Sequence, residues 1–527
     1  MPTTLLRGGL AVDGSGADAV RADVLIRENR IAAIGDSAGS EADQVLDVGG
    51  LVVAPGFIDC HSHSDLHLLE DPLATPKVAQ GVTTEVVANC GFGPFPLRNE
   101  AARRSMDALV PPAEQAGAPR EFASLADYRA TLACRGTAVN VAALAPHGAI
   151  RLSVMGGDDR PARNDELEQM CGLAGEAMEQ GAVGLSFGLL YAPGCFTPTE
   201  EMVALGQAIA PYRRPLVFHT RNECDRFEES VEEAIYVGRE SGAPVHISHL
   251  KVADPTRWGT IGEALARIDE ARAQGQAVTC DQYPYPAGSS PFQTLLPPWS
   301  LAGGAGSVLE RLRDPQTRAR MAAAMAGGEQ IPGWDNLSLR IGWDRAVVGS
   351  APGVEGYEGR SIARIAREAG KSPSEIVFDL LLATRGAAIG VWHQMCEEDV
   401  RTVMPHPAQM IGSDGLPAPG KPHPRLWGTF PRVLGRYVRA LGLLTLEQAV
   451  HKMTGRPAAT FGLAGRGLIR PGHCADLCVF DATRIADRAT WEEPTLPPEG
   501  MVHVFCNGTA TMHDGLRTDA RPGRYAR

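Results

Sequence analysis

Apolar positions recur along this chain with two different spacings. Near the start, Leu5-Leu6-Arg7-Gly8-Gly9, Val24-Leu25-Ile26 and Ile31-Ala32-Ala33-Ile34-Gly35 are short apolar runs. The polar turn Arg27-Glu28-Asn29-Arg30 separates the last two, and strand, turn, strand predicts a hairpin. The far end repeats the pattern in Ala475-Asp476-Leu477-Cys478-Val479-Phe480 and Met501-Val502-His503-Val504-Phe505-Cys506-Asn507-Gly508. The two ends are expected to form one small β domain from residues 1–55 and 465–527, with 518–527 as a polar tail.

Between them, short apolar runs alternate with longer amphipathic ones. Strands are predicted at Thr84–Ala88, Val139–Leu144, Val183–Phe187, Pro215–His219, Val245–His249, Ala277–Tyr283 and Met410–Gly412. From Asn164 to Gln180, Leu167, Met170, Cys171, Ala174 and Met178 fall at helical spacing, and Gly181 ends the run. Glu228–Ser241, Ile261–Gln274 and Ser374–Thr384 read as helices too. Strand–helix repetition on this scale predicts a parallel α/β architecture, most simply a TIM-like (β/α)8 barrel over 56–464. A stretch at about 290–350, with Pro-Pro, Gly-Gly and several aromatic residues, breaks the alternation. It is expected to be a lid-like insertion at the barrel mouth.

Composition narrows the function classes. A chain of 527 residues that is 44% hydrophobic affords a large core with an attached smaller domain. A formal charge of −12 argues against nucleic acid or an anionic membrane as the main partner. It leaves a small-molecule substrate, and it leaves the oligomeric state open. Met1-Pro2-Thr3-Thr4 shows no basic or apolar leader, and no run approaches ~18 uninterrupted apolar residues. The eleven cysteines show no disulfide-type spacing, so reduced thiols in the cytoplasm are expected.

The predicted strands end in chemistry. His61 and His63 of Phe57-Ile58-Asp59-Cys60-His61-Ser62-His63 share a face if the strand continues through them, as two metal-binding imidazoles would. A lone His-x-His is common on surfaces, and Asp65 on the same face reads as a loop carboxylate. Cys90 closes Val86-Val87-Ala88-Asn89-Cys90-Gly91; alone it would be a small buried hydrophobe, but a thiolate is a strong zinc ligand. His219 ends Leu216–His219 and His249 ends Val245–His249, with Lys251 on the same face and His246, read as structural, on the other. Asp414 in Gly412-Ser413-Asp414-Gly415 is either a turn cap or the base that hydrolysis needs. Ligand-type residues at five separate strand ends, all from the nitrogen, sulfur and oxygen set zinc prefers, are hard to attribute to coincidence.

With those residues in place the chain resembles the D-aminoacylase (N-acyl-D-amino-acid deacylase) family of the amidohydrolase superfamily. Asp281-Gln282-Tyr283-Pro284-Tyr285, His423-Pro424-Arg425 and Lys452-Met453-Thr454-Gly455-Arg456-Pro457-Ala458 carry the likeness further. The resemblance makes the small domain of the two chain ends a β-sandwich. It implies zinc held by Cys90, His219 and His249, with His61 and His63 forming a weaker second site that shares Cys90. It implies Asp414 at the metal, as one of its ligands and as general base and then acid, and Lys251, Tyr283, Ser289 and Arg425 around the substrate. Ser290 adjoins Ser289 and could take its place. The pair Trp392-His393 is a departure, and His393 is considered as a neighbour of the site. A cyclic-amide hydrolase of dihydroorotase or dihydropyrimidinase type is the alternative. Such relatives bridge two metals with a carboxylated lysine, whereas Gly181–Gly188 contains no lysine. A non-catalytic scaffold on the same fold is disfavoured because every ligand-type residue is kept. For substrate, Pro291-Phe292-Gln293-Thr294-Leu295-Leu296-Pro297-Pro298-Trp299 has no cation, so neutral or hydrophobic D-residues are expected over D-Glu or D-Asp. A deacylase for those acidic residues remains the other alternative.

Overall fold

The computed structural model describes residues 3–35, 42–100, 102–103, 121–331 and 333–527. Met1 and Pro2, part of the leader reading, lie outside the described residues, as does residue 332 of the expected insertion. Eight parallel strands build the barrel: Phe57–Asp59, Val82–Val87, Asn140–Ala143 with its continuation Ala145–Pro146, Leu185–Gly188, Leu216–His219, Val245–Ile247, Val278–Gln282 and Gln409–Ile411. Nearly every residue in them is buried, as strands covered on both faces require. The ring closes where Ser62 bridges Gly415 in parallel and the Asp414 amide donates to the His61 carbonyl at 2.7 Å.

Helices cover the barrel strands. Asn164–Glu179 buries Met170, Ala174 and Met178 and starts with the Glu166 carboxylate accepting the Arg163 amide at 2.8 Å. Gly181, at φ 101°, carries the chain out of that helix. Phe227–Ser241 and Ile261–Ala273 follow their strands as the periodicity predicts. Among the described residues no helix is long and apolar enough to cross a membrane.

The termini meet in a nine-stranded sheet, in which Val52–Pro55 pairs antiparallel with Leu477–Phe480. The expected polar tail is not free. Tyr525 bridges Val141, its hydroxyl donates to the Gly181 carbonyl at 3.0 Å, and Arg129 lies 4.3 Å over its ring. With the Gly523 and Ala526 amides donating to the Thr137 and Val141 carbonyls at 2.7 and 2.8 Å, these contacts anchor a segment whose composition alone looks solvated.

After the seventh barrel strand the chain makes a three-stranded antiparallel sheet of Gly288–Pro291, Ala346–Ser350 and Ile389–Trp392. With the helices Pro315–Met325, Ile362–Ala369 and Pro373–Ala383 it encloses a separate apolar core containing Phe292, Leu296, Met325, Ile365, Phe378 and Trp392. That core continues well past 350, and Pro373–Ala383 packs into it rather than on the barrel wall.

Candidate metal and substrate site

Several barrel strands deliver residues at or just past their ends to one cavity, among them His219, His249, Tyr283 and Asp414. The backbone turns sharply there. Cys90, His249 and Asp414 hold left-handed φ values of 55°, 35° and 48°, a cost of about 1–3 kcal/mol each that surrounding structure must sustain. The bend aims each side chain inward from a strand that has just ended. His61 and His63 also lie beyond their strand, which stops at Asp59. They come against Asp414 because the His63 amide donates to the Gly415 carbonyl at 3.1 Å, which holds this loop against the next. Beneath them the buried Lys77 ammonium binds Asp59, Ser413 Oγ at 2.9 Å and Ser62 Oγ at 3.1 Å, with Glu85 at 3.4 Å.

Two overlapping sets of three ligand atoms, each within 4.8 Å of one another, share Cys90: His61, His63 and Cys90, and Cys90, His219 and His249. His61, His249 and Asp414 form a third. Cys90 Sγ is 3.3 Å from His61 Nε2 and 3.6 Å from His249 Nε2. Burial pushes its thiol up, but the surrounding imidazoles outweigh burial and leave it well below the ordinary thiol value. His219 is buried with neither ring nitrogen hydrogen-bonded. Buried polar atoms in folded proteins are almost always paired, so an orphaned imidazole beside a thiolate and a second imidazole fits a tetrahedral metal's donor set.

Across the cavity Asp414 Oδ1 is 3.1 Å from His63 Nε2, and Oδ2 is 2.8 Å from Arg425 Nη1. Burial raises the carboxyl's pKa, but Arg425, His61 and His63 together hold it well below the carboxylate range. His63 is lifted to about 9: burial opposes the charge, and Asp414 and Cys90 overcome it. The Arg425 guanidinium lies 4.5 Å over the Tyr283 ring. Its Nη2 donates to the Ser289 carbonyl at 3.2 Å, while its Nε and the Tyr283 hydroxyl are buried without hydrogen-bond partners. Lys251 is buried against Glu223 and lies 2.8 Å from His249 Nδ1.

The structure therefore gathers His61, His63, Cys90, His219, His249, Lys251, Tyr283, Asp414 and Arg425. Ser289 lines the cavity, but its Oγ donates to the Gly390 carbonyl at 2.8 Å, and Ser290 Oγ accepts from Trp392 Nε1 at 2.7 Å. His393 does not line the cavity; its ring packs 4.9 Å from Trp491. Asp65 is a loop carboxylate whose Oδ1 accepts the Ala88 amide at 2.7 Å. The expected apolar contact from 291–299 is not found. Phe292, Leu295 and Leu296 fill the insertion's own core, and Leu190, Leu337 and Trp392 line the cavity instead. A run's apolarity says that it is buried and not against what.

Two carboxylates packed against these residues escaped the sequence reading. Asp281 Oδ2 is 3.1 Å from His61 Nδ1 and 2.8 Å from His246 Nε2, so the structural histidine supports a site residue through it. Strand-end position was its signal. Glu223 lies beside His219, His249 and Lys251; its only signal was four-residue spacing from His219.

Residues 44–512 match the model of the amidohydrolase family. The chain is 39% identical over 520 residues to a D-aminoacylase of Alcaligenes xylosoxydans xylosoxydans, covering 99% of this chain and 96% of that one. It is 40% identical over 527 residues to an N-acyl-D-glutamate deacylase of the same organism, with the same coverage. Among solved structures, the N-acyl-D-glutamate deacylase of Bordetella bronchiseptica, complexed with zinc and a phosphonate mimic of the tetrahedral intermediate, superposes with a TM-score of 0.83 at 36% identity, covering 99% of each chain. The match over nearly the whole length, joined to a barrel whose strand ends converge on a thiolate and imidazoles, makes this chain a member of the D-aminoacylase family of amidohydrolases.

Proposed function

We propose that the protein hydrolyses the amide bond of N-acyl-D-amino acids, releasing a carboxylate and a free D-amino acid, with zinc on Cys90, His219 and His249. The orphaned, buried imidazole of His219 beside Cys90 carries the metal reading. His61 and His63 would complete a weaker second site through the shared thiolate. Zinc supplies a lowered pKa for bound water and polarisation of a carbonyl. Asp414 takes the proton of the attacking water and returns it to the departing amine. Two unpaired buried donors, Arg425 Nε and Tyr283 Oη, await an anion, and the substrate α-carboxylate is the natural one. Arg425 would then divide its charge between that carboxylate and Asp414, loosening the hold that keeps Asp414 acidic. Lys251 and the Ser289 strand complete the substrate walls.

The preference for neutral side chains rests on residues other than those first expected. Leu190, Leu337 and Trp392 offer apolar surface, and both cations at the cavity already face carboxylates, Lys251 with Glu223 and Arg425 with Asp414. A second substrate carboxylate would be buried without a partner. All eleven cysteines are unpaired, which supports a reducing, cytoplasmic setting. The test is kcat/KM for N-acetyl-D-Leu, D-Met, D-Phe, D-Glu, D-Asp and their L counterparts. The neutral D-compounds should lead and the L-isomers should be nearly inert. A lead for D-Glu or D-Asp would overturn the side-chain assignment, and a lead for L-isomers the substrate class.

A further inference from the structure

Glu223 stands four residues beyond His219 with 3% of its surface exposed. Its backbone is held at both ends: its amide donates to Asp335 Oδ2 at 2.7 Å, and its carbonyl accepts from the Ala253 amide at 2.7 Å. Asp335 belongs to the insertion, so the insertion fixes this loop. The carboxylate then meets three groups through one oxygen. Oε1 lies 3.2 Å from His249 Nδ1, 3.6 Å from His219 Nε2 and in contact with Lys251 Nζ.

These contacts pose a choice of tautomer at His249. Its Nε2 faces Cys90 Sγ, and only a lone pair there serves a metal. That requires the ring proton on Nδ1. Yet Lys251 Nζ, which is only a donor, sits 2.8 Å from the same Nδ1. Left alone, the ammonium would donate to Nδ1 and force the proton onto Nε2. A carboxylate that accepts from both Lys251 and Nδ1–H reverses this. Partners of this kind behind a metal-binding histidine fix its tautomer and orientation.

We infer that Glu223 is a positioning residue that keeps the His249 proton on Nδ1 by drawing off the Lys251 ammonium, and so presents Nε2 to the metal. The inference rests on the zinc site of the proposed deacylase. The experiment is competition of zinc-loaded enzyme against a chelating dye, for wild type, Glu223→Gln, Glu223→Asp and the double variant Glu223→Gln/Lys251→Met. Glu223→Gln should weaken zinc about 10–100-fold. Glu223→Asp, which keeps the charge, should lose less. The double variant removes the competing donor and should regain most of the affinity while its KM stays high, since Lys251 also lines the substrate cavity. Zinc affinity in Glu223→Gln equal to wild type would overturn the inference. So would a double variant that binds zinc no better than Glu223→Gln, the result expected of a merely structural residue. Wild type without bound zinc would instead remove the proposed function itself.

Discussion

In the proposed chemistry single residues carry the site, and Asp414 as the proposed base is the sharpest case. Asp414→Asn preserves shape and removes the base, so kcat should fall by about 10²–10⁴-fold while zinc content holds. Loss of zinc, or a drop of only a few-fold, would contradict the role. Arg425→Lys keeps a charge but gives up the planar fork and its unpaired Nε, so KM should rise more than kcat falls when both are measured on N-acetyl-D-leucine. Cys90, His219, His249 and Asp414 were legible in the sequence because each closes an apolar run, and barrel chemistry gathers where strands end. Glu223 was not, because it lies in a loop without periodicity and acts only through groups folded against it. The 291–299 segment misled for a related reason: two apolar cores exist, and composition does not say which one a run joins.

At the scale of elements, the site depends on close approach between neighbouring strand ends. A Cβ at Gly188 would stand 1.9 Å from the Cys90 carbonyl oxygen, which is backbone and has little room to yield. Gly188→Ala should therefore cost at least about 1–3 kcal/mol of stability and displace Cys90. Calorimetry and metal analysis should show a lower Tm together with a lower zinc content. The insertion has its own signature in Asp335, whose carboxyl burial pushes up to about 7 against its hydrogen bonds from Cys224 and the Glu223 amide. Unfolded, it titrates near 3.9. Between those values the folded chain keeps a proton that the unfolded chain has lost, so this group's contribution to stability falls as pH rises from about 4 to about 7. Asp335→Asn should thus gain on wild type across that range, read as urea midpoints at pH 5 and pH 8; a constant difference would refute it. The helices Asn164–Glu179, Phe227–Ser241 and Ile261–Ala273 were readable to within a residue or so from apolar spacing. The destination of Pro373–Ala383 was not, because one amphipathic face packs equally well on a barrel or on an insertion.

For the whole molecule, the two chain ends, both legible in the sequence as short strands and turns, share a sheet. The sequence did not foretell that the last residues return to the barrel, where Tyr525 meets Gly181 and Arg129. That contact follows from the position of the barrel's outer surface, which exists only after folding. The closed barrel, the shared sheet and the insertion together hold one thiolate, four imidazoles and two carboxylates, Asp414 and Glu223, in one site. The central claim is that this arrangement works through zinc. The most direct measurement is hydrolysis of N-acetyl-D-leucine by enzyme stripped with a strong chelator and then given back zinc, with metal content followed in parallel. Activity should vanish with the metal and return as about one equivalent of zinc rebinds. Full activity in the metal-free protein would contradict the account.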